Sequence, residues 1–364
     1  VDEGGLGIFA GVPVSKMKIA LCTTTIHVPH ALKLLRKCSE DVRFFVALDE
    51  KSPFAAIASW DGRESRDPVR VTTMTNTEWL APSHQKKWKC SEAIGWNTLA
   101  RRNIAFLEAL KWGADVIYSW DNDNLPTNWL HFSNLKKVLA HPFDGIKVTN
   151  TDSNWFDPGS LLIPATRQRG IPWNHRNANW AEPVTDAKVG VVSGLIFGDP
   201  DCDASTRIEK SPDIGALHVL GQVGVVVDPN TWTIFNSQNT ALLRELMPAF
   251  FLMPGVGRHD DVFGSLIVQR VMRERGYHVH LGAPFCYQAR NPHNLVTDLR
   301  AEIDGMERVT EIANALDAFR LMPGASVVEH TRALYIYLAS LCLIPDAGFA
   351  AAMAWLEDCE GLGL

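Results

Sequence analysis

Residues Ala100–Pro126 read ARRNIAFLEALKWGADVIYSWDNDNLP. Leu99, Ile104, Leu107 and Leu110 recur at helical spacing, and Gly113 stands where a helix C-cap belongs. The run DVIYSW then predicts a buried strand, closed by Asp121-Asn122-Asp123 and a proline. Working outward, MKIALCTTT predicts a strand ending in small hydroxyl residues, HALKLLRKC a short amphipathic helix, and VRFFVALDE a second strand. Strand, helix and strand at this spacing begin a parallel α/β sheet. Ligands of such sheets bind beyond the carboxyl ends of the strands. Thr23, Thr24, Asp49, Asp121 and Asp123 all stand at those ends, so they are candidates for one crevice.

Downstream, residues 145–190 are rich in Asn, Asp, Pro and Trp and lack periodicity, which predicts a substrate loop. VGVVSGLIFG and GQVGVVVD predict further strands. QNTALLRELMPAFFLM predicts a helix that Pro248 interrupts, and DVFGSLIVQRVMRERG a second one ended by Gly276. From about Met306 the chain turns Ala/Leu-rich and helical. The expected organisation is a flexible leader over 1–16, a nucleotide-binding α/β domain over 17–305 and a helical C-terminal extension over 306–364.

The chain has 364 residues, a formal net charge of −6 and 46% hydrophobic residues. That charge argues against nucleic acid or an anionic membrane as the main partner. Seven cysteines without a CxxC spacing fit free thiols in a reducing, cytoplasmic compartment and not a zinc site. No apolar run reaches the length of a membrane span, and the N-terminal residues lack the order of a secretory signal.

Four segments carry candidate chemistry. On an extended chain Asp121 and Asp123 point to one side, where their repulsion favours a divalent cation, Mn²⁺ or Mg²⁺, shared with a nucleotide's phosphates. The same residues suit a solvated turn. RQRGIPWNHR (167–176) crowds Arg167, Arg169, His175 and Arg176 into a phosphate-binding pattern, or into a solvated basic loop. In GRHDDVFG (257–264), Asp260 and Asp261 offer a base or a sugar contact, or an N-cap for the helix that follows. In CYQARNPHNL (286–295), Gln288 or His293 offers a metal ligand and Arg290 a phosphate contact. Asp201 and Asp203 resemble a second acidic metal pair, but their Gly-Pro setting favours a plain loop.

In this order the segments ARRNIAFLEALKWGADVIYSWDNDN, RGIPWNHR, GLIFGDPDCDAST, GRHDDVFG and NPHNL resemble the reversibly glycosylated polypeptide family, the UDP-arabinopyranose mutases, and their STELLO-type relatives. The resemblance runs from about Met17 to the C-terminal helices. It implies a GT-A fold that holds a UDP-sugar through Mn²⁺ or Mg²⁺. It further implies metal binding by Asp121 and Asp123, a nucleotide contact at Asp49, and diphosphate contacts at Arg101 or Arg102. Arg169 would be the reversibly glycosylated arginine with Arg176 as its partner, and Asp260 and Asp261 would face the sugar. The sequence departs from the pattern in Asn122 at the middle of the triplet, in Gln288 where a histidine is expected, and in the length of the Asp186–Val192 loop. Two activities follow from the same residues: transfer to a glycan or protein acceptor or to Arg169 itself, and ring-size interconversion of the sugar. A third possibility is a non-catalytic scaffold for partner transferases. The apolar helical tail also suits self-association into a homo-oligomer. Phosphate-ester hydrolysis is disfavoured, because no dinuclear set of His and Asp ligands is visible.

Overall fold

The computed structural model describes residues 17–39, 41–61, 76–140, 142–290 and 293–364, together with the strand pair Ile8–Phe9 and Val12–Pro13. The rest of the expected leader, and Asn291 and Pro292 of the NPHNL segment, lie outside the described residues.

The chain is α/β, and among the described residues ten strands form one mixed sheet. Its strands are β1 (Ile19–Thr25), β2 (Arg43–Leu48), β3 (Thr77–Leu80), β4 (Val116–Trp120), β5 (Asn124–Pro126), β6 (Phe143–Asn150), β7 (Asn179–Gly198), β8 (Val225–Val227), β9 (Asn239–Leu243) and β10 (Tyr277–Gln288). The spatial order is β3-β2-β1-β4-β9-β7-β6-β8-β10-β5. β3, β2, β1 and β4 are mutually parallel, and β9 runs against β4. β7 runs against β9 and pairs in parallel with β10, so both share the direction of the first four strands. The first half of β7 also pairs with β6, which links through β8 back to β10 and closes a cycle of four strands.

The expected strand–helix–strand opening is present. α1 (Ala31–Cys38) follows β1, and α2 (Arg102–Trp112) precedes β4. Gly113 ends α2 in the left-handed region at φ 81°, as its position predicts. Around the sheet lie α3 (His131–Ala140), α4 (Asp260–Arg275), α5 (Leu295–Ala318), α6 (Val327–Ser340) and α7 (Asp346–Gly361).

Two expectations are corrected. QNTALLRELMPAFFLM is not a helix. Asn239–Leu243 is strand β9, buried at every position, and a 3-10 turn over Arg244–Ala249 takes up Pro248. Pairing with β4 on one side and β7 on the other outweighs the helix propensity of Leu and Ala. Residues 145–190 are not one long loop either, because β6 and the first half of β7 form an antiparallel ladder there. Most of 179–188 is exposed, so the alternation that marks a half-buried strand is absent.

The expected boundary near Met306 falls inside α5, and the helices beyond it join the same core. Trp355 of α7 is fully buried and donates its indole N–H to Pro248 O at 2.9 Å. Asp358 accepts the N–H groups of Lys89 and Cys90, so it holds the start of the short helix Cys90–Ile94. Among the described residues no helix is long and apolar enough to cross a membrane.

Candidate functional site

The parallel strands set the place of the site. β1, β2, β4, β7 and β10 bring their carboxyl ends to one edge of the sheet, and β9, running the other way, brings Ser237 and Gln238 there. A cleft of about 390 Å³ opens at this edge. Among the described residues five carboxylates line it (Asp121, Asp123, Asp201, Asp260 and Asp261) against three guanidiniums (Arg169, Arg258 and Arg290), with Ser237, Gln238, Gln288 and His293 between them.

Asp121, Asn122 and Asp123 form a turn, not the extended tip expected of them. Asn124 N donates to Asp121 O at 3.1 Å. The chain leaves β4, passes the end of β9, and pairs with β10 as β5. Asp121 N and the Asn124 side-chain amide both donate to Gln238 O, which pins the turn. Both carboxylates nevertheless face the cleft, while Asn122 turns its amide to Thr25 Oγ1 at 2.6 Å. Burial raises the Asp121 pKa and Asp123 adds to the rise, against the pull of Arg102. Arg102 Nη2 lies 2.5 Å from Asp121 Oδ1, and Arg102 Nη1 also donates to Ser237 O and Ser119 Oγ. Gln288 donates its amide N–H to Asp123 Oδ2 at 3.2 Å, and its carbonyl accepts from Gln238. Gln288 therefore turns a donor towards Asp123, so in this arrangement it supports that carboxylate and presents no ligand oxygen.

The opposite wall is built on Arg169. Gly170, at φ 94°, lets the chain turn beside Val262, whose Cγ1 would lie 2.6 Å from a Cβ at that position. That turn directs Arg169 inward, where it is almost wholly buried. Its Nη2 lies 2.5 Å from Asp201 Oδ2 and 3.5 Å from Asp261 Oδ1, and its Nε donates to both Asp201 oxygens. Burial works against the Arg169 charge, but Asp201 and then Asp261 outweigh it and raise its pKa. For Asp201 burial pushes upward, yet Arg169 and Arg290 hold the carboxyl well below the usual range. The loop expectation for this segment is half corrected: Asp203 caps a short helix through Thr206 N, whereas Asp201 lines the cleft.

Asp260 and Asp261 open α4 but divide the work. Asp261 Oδ2 accepts both the N–H and the hydroxyl of Ser237, at 2.9 and 3.0 Å. Asp260 is only partly buried and accepts Asp261 N at 3.0 Å. Burial, then the Asp261 charge, lifts the Asp260 pKa to about 7. Gly257, at φ 62°, brings this segment against the backbone carbonyl of Ala301 in α5. Arg258 pairs with Glu302 and Asp298 of the same helix.

Of the residues singled out from sequence, Asp121, Asp123, Arg169, Asp260, Asp261, Gln288, Arg290 and His293 converge on the cleft, with His293 Nδ1 turned to Asp298 Oδ2 at 3.2 Å. Arg102 stands directly behind Asp121. Asp49 is buried one step away and accepts the N–H groups of Asn97 at 2.7 Å and Thr98 at 3.3 Å. It therefore holds the loop whose Thr98 and Leu99 line the cleft, and does not itself line it. Arg101 points elsewhere: it is fully buried, donates to Gln85, Ser91 and Gly95, and stacks 3.9 Å from the Trp96 ring centroid. Thr23 and Thr24 spend their hydroxyls on the carbonyls of Thr24 and Ala47, and the Arg176 side chain is exposed away from the lining. Arg258, Ser237 and Gln238 were not singled out by chemistry in the sequence. The one signal for Arg258 was its place beside His259-Asp260-Asp261.

Among the described residues no group of three or more His, Cys, Asp or Glu side chains is gathered to hold a metal by protein ligands alone. A hard divalent cation such as Mg²⁺ needs less than that. One or two carboxylates, with phosphate oxygens and water completing the shell, is its common arrangement in nucleotide sites. Asp121 and Asp123 on one turn fit that requirement. Neither a protein-family model nor a curated protein matches the chain.

Proposed function

We propose that the cleft binds a nucleoside-diphosphate sugar, with UDP as the expected nucleotide, together with Mn²⁺ or Mg²⁺. In this reading the sheet is a GT-A sheet, and the sugar passes to an acceptor hydroxyl. The observation that carries the proposal is the convergence of Asp121, Asp123 and Asp260 on one cleft at the carboxyl edge of the sheet. Five carboxylates against three guanidiniums make that cleft hostile to a bare diphosphate, so an anionic nucleotide requires a cation there. Asp121 and Asp123 would hold the cation, which when bound neutralises charge on the leaving diphosphate.

The remaining roles follow from the chain's own hydrogen bonds. Asp261 is spent on Ser237 and Arg169, so it positions its neighbours. Asp260, with a pKa near 7 and a face in the cleft, has the affinity to take a proton from an acceptor hydroxyl. Arg169 is clamped by Asp201 and Asp261, and a guanidinium held in its charged form has no lone pair for attack. That supports transfer to an external acceptor over glycosylation of Arg169, and gives Arg169 an electrostatic part beside Asp260.

Titration calorimetry of UDP with and without Mn²⁺ tests the reading. Manganese-dependent binding is expected in the parent chain, weakened at least about tenfold in Asp123→Ala. UDP binding that ignores both manganese and this substitution would refute it. Release of UDP from a UDP-sugar, abolished in Asp260→Asn, would then establish the transfer step.

A further inference from the structure

Next along the chain from two parts of the cleft lining, the Asp121–Asp123 turn and Gln288, lies an exposed apolar patch that does not line the cleft and that the proposed chemistry does not use. Leu125 of β5 stands directly opposite Tyr287 of β10, and both are exposed. Trp129 and Leu130 follow at once, Trp129 being 74% exposed. α1 packs beside β5, bringing the exposed Leu34 to the same region, and Cys38 Sγ lies 3.7 Å from Asn128 O. Ile26, also exposed, follows Thr25, the residue that receives the Asn122 amide. Along the chain the patch adjoins the Asp121–Asp123 turn and Gln288, with Leu125 and Tyr287 on the strand face opposite to Asn124 and Gln288.

The charge around it is opposite to that of the whole chain. Residues 26–41 and 125–140 contain Lys33, Arg36, Lys37, Lys136 and Lys137, against Glu40 and Asp41 alone. Arg36 is bound to Asp61, and Lys136 lies 3.9 Å from Asp41. Lys33 is exposed but holds its Nζ 4.5 Å from the Trp60 ring centroid, and Lys37 and Lys137 are exposed. The net charge of −6 describes the molecule and not this face.

We propose that this face docks on an anionic lipid surface, with Trp129 and Leu130 entering the headgroup region and the α1 and α3 lysines meeting lipid charge. An exposed tryptophan beside aliphatic side chains and lysines is the chemistry of an interfacial contact. A soluble small-molecule acceptor needs no such patch. Docked in this way, the strand pair that adjoins the Asp121–Asp123 turn meets the bilayer, so the acceptor class is a hydroxyl group borne on a lipid. That last step rests on the transferase reading, whereas the docking does not.

Flotation with phosphatidylcholine vesicles, with and without phosphatidylglycerol, tests the docking without any substrate. The parent chain is expected to float with the anionic vesicles only, and to be released by salt. Trp129→Glu is expected to lower the bound fraction at least about tenfold, and Lys37→Glu with Lys137→Glu about fivefold per lysine. Trp173→Glu, at an exposed tryptophan on a different loop, is expected to leave binding unchanged. The proposal is overturned if anionic vesicles bind no more protein than neutral ones, or if Trp129→Glu and Trp173→Glu behave alike. It is equally overturned, in favour of a second copy of the chain, if light scattering shows a dimer that Trp129→Glu dissociates. Vesicle binding without turnover of UDP-sugars would refute the transferase reading and leave the docking standing.

Discussion

Asp201→Asn is the most demanding test of the cleft's construction. The substitution keeps the shape of the side chain and removes one charge from a buried pair. Arg169 and Asp201 are each more than nine-tenths buried, and Arg169 donates from Nε and Nη2 to both Asp201 oxygens. Removing one partner of such a pair leaves the other charge uncompensated, at a cost of about 3–5 kcal/mol. Asp261, 3.5 Å away, keeps part of the compensation, so the lower end, about 3 kcal/mol, is expected. Urea unfolding followed by tryptophan fluorescence reads the loss. Arg169→Met should cost a similar amount, because it leaves Asp261 without its guanidinium and Asp201 with Arg290 alone, at 3.5 Å. The double variant should cost less than the sum by at least about 1 kcal/mol, since the pair is broken only once. The pH dependence has a fixed sign. The Asp201 pKa is depressed in the folded chain, so its stabilisation is present above the ordinary carboxylate pKa and is lost as pH falls through the depressed value. The deficit of Asp201→Asn should therefore be full at pH 7 and shrink in acid. A loss below about 1 kcal/mol at pH 7, or strict additivity with Arg169→Met, would refute the clamp.

Two further outcomes follow from the same wall of the cleft. The raised pKa of Asp260, about 7, means its protonated form favours folding below the unfolded pKa, and that contribution disappears as pH rises through 7. Asp260→Asn should therefore be more stable than the parent at pH 8, by about 1–3 kcal/mol, with the gap closing towards pH 5 in thermal melts. The same carboxyl predicts turnover that rises with pH through about 7, a limb absent from Asp260→Asn. Gly305 of α5 faces the buried His259 ring so closely that a Cβ would collide with it. Gly305→Ala should cost about 1–3 kcal/mol in urea unfolding and weaken UDP binding as well, because His259 adjoins Asp260.

The parts of the fold legible in the sequence were those set by local pattern. VIYSW is apolar but for Ser119 and runs into acid, and it became a buried strand whose following turn enters the cleft. The misread parts were set by partners far along the chain. Asn239–Leu243 is apolar enough for a helix, and only its neighbours β4 and β7 make it a strand. The first half of β7 is largely exposed, with only Glu182 and Val184 half-buried before Ala187, and its sequence carries no apolar alternation to read. Arg101 and Arg102 are chemically alike and adjacent, yet one ends the 3-10 turn Leu99–Arg101 and turns to Gln85 and Ser91, while the other opens α2 and turns to Asp121. Asp201 looked like loop because its partner, Arg169, is 32 residues away.

What distinguishes reactive from structural acids in this cleft is how much of their hydrogen-bonding capacity the fold has consumed. Asp201 gives both oxygens to Arg169 and accepts the Asn236 amide as well. Asp261 gives one oxygen to Ser237 twice over and the other to Arg169. These two are pinned, and their charge is answered by guanidinium. Asp121 answers to Arg102 through a single oxygen, Asp123 accepts the Gln288 amide, and Asp260 accepts one backbone N–H. Each of the three retains acceptor capacity in the cleft, since a carboxylate offers about four lone-pair sites. The antiparallel entry of β9 makes this division possible, because it delivers Ser237 and Gln238 to the carboxyl edge of otherwise parallel neighbours. Ser237 then binds Asp261 and fixes the first turn of α4, so that Asp260 is held over the cleft beside the Asp121–Asp123 turn.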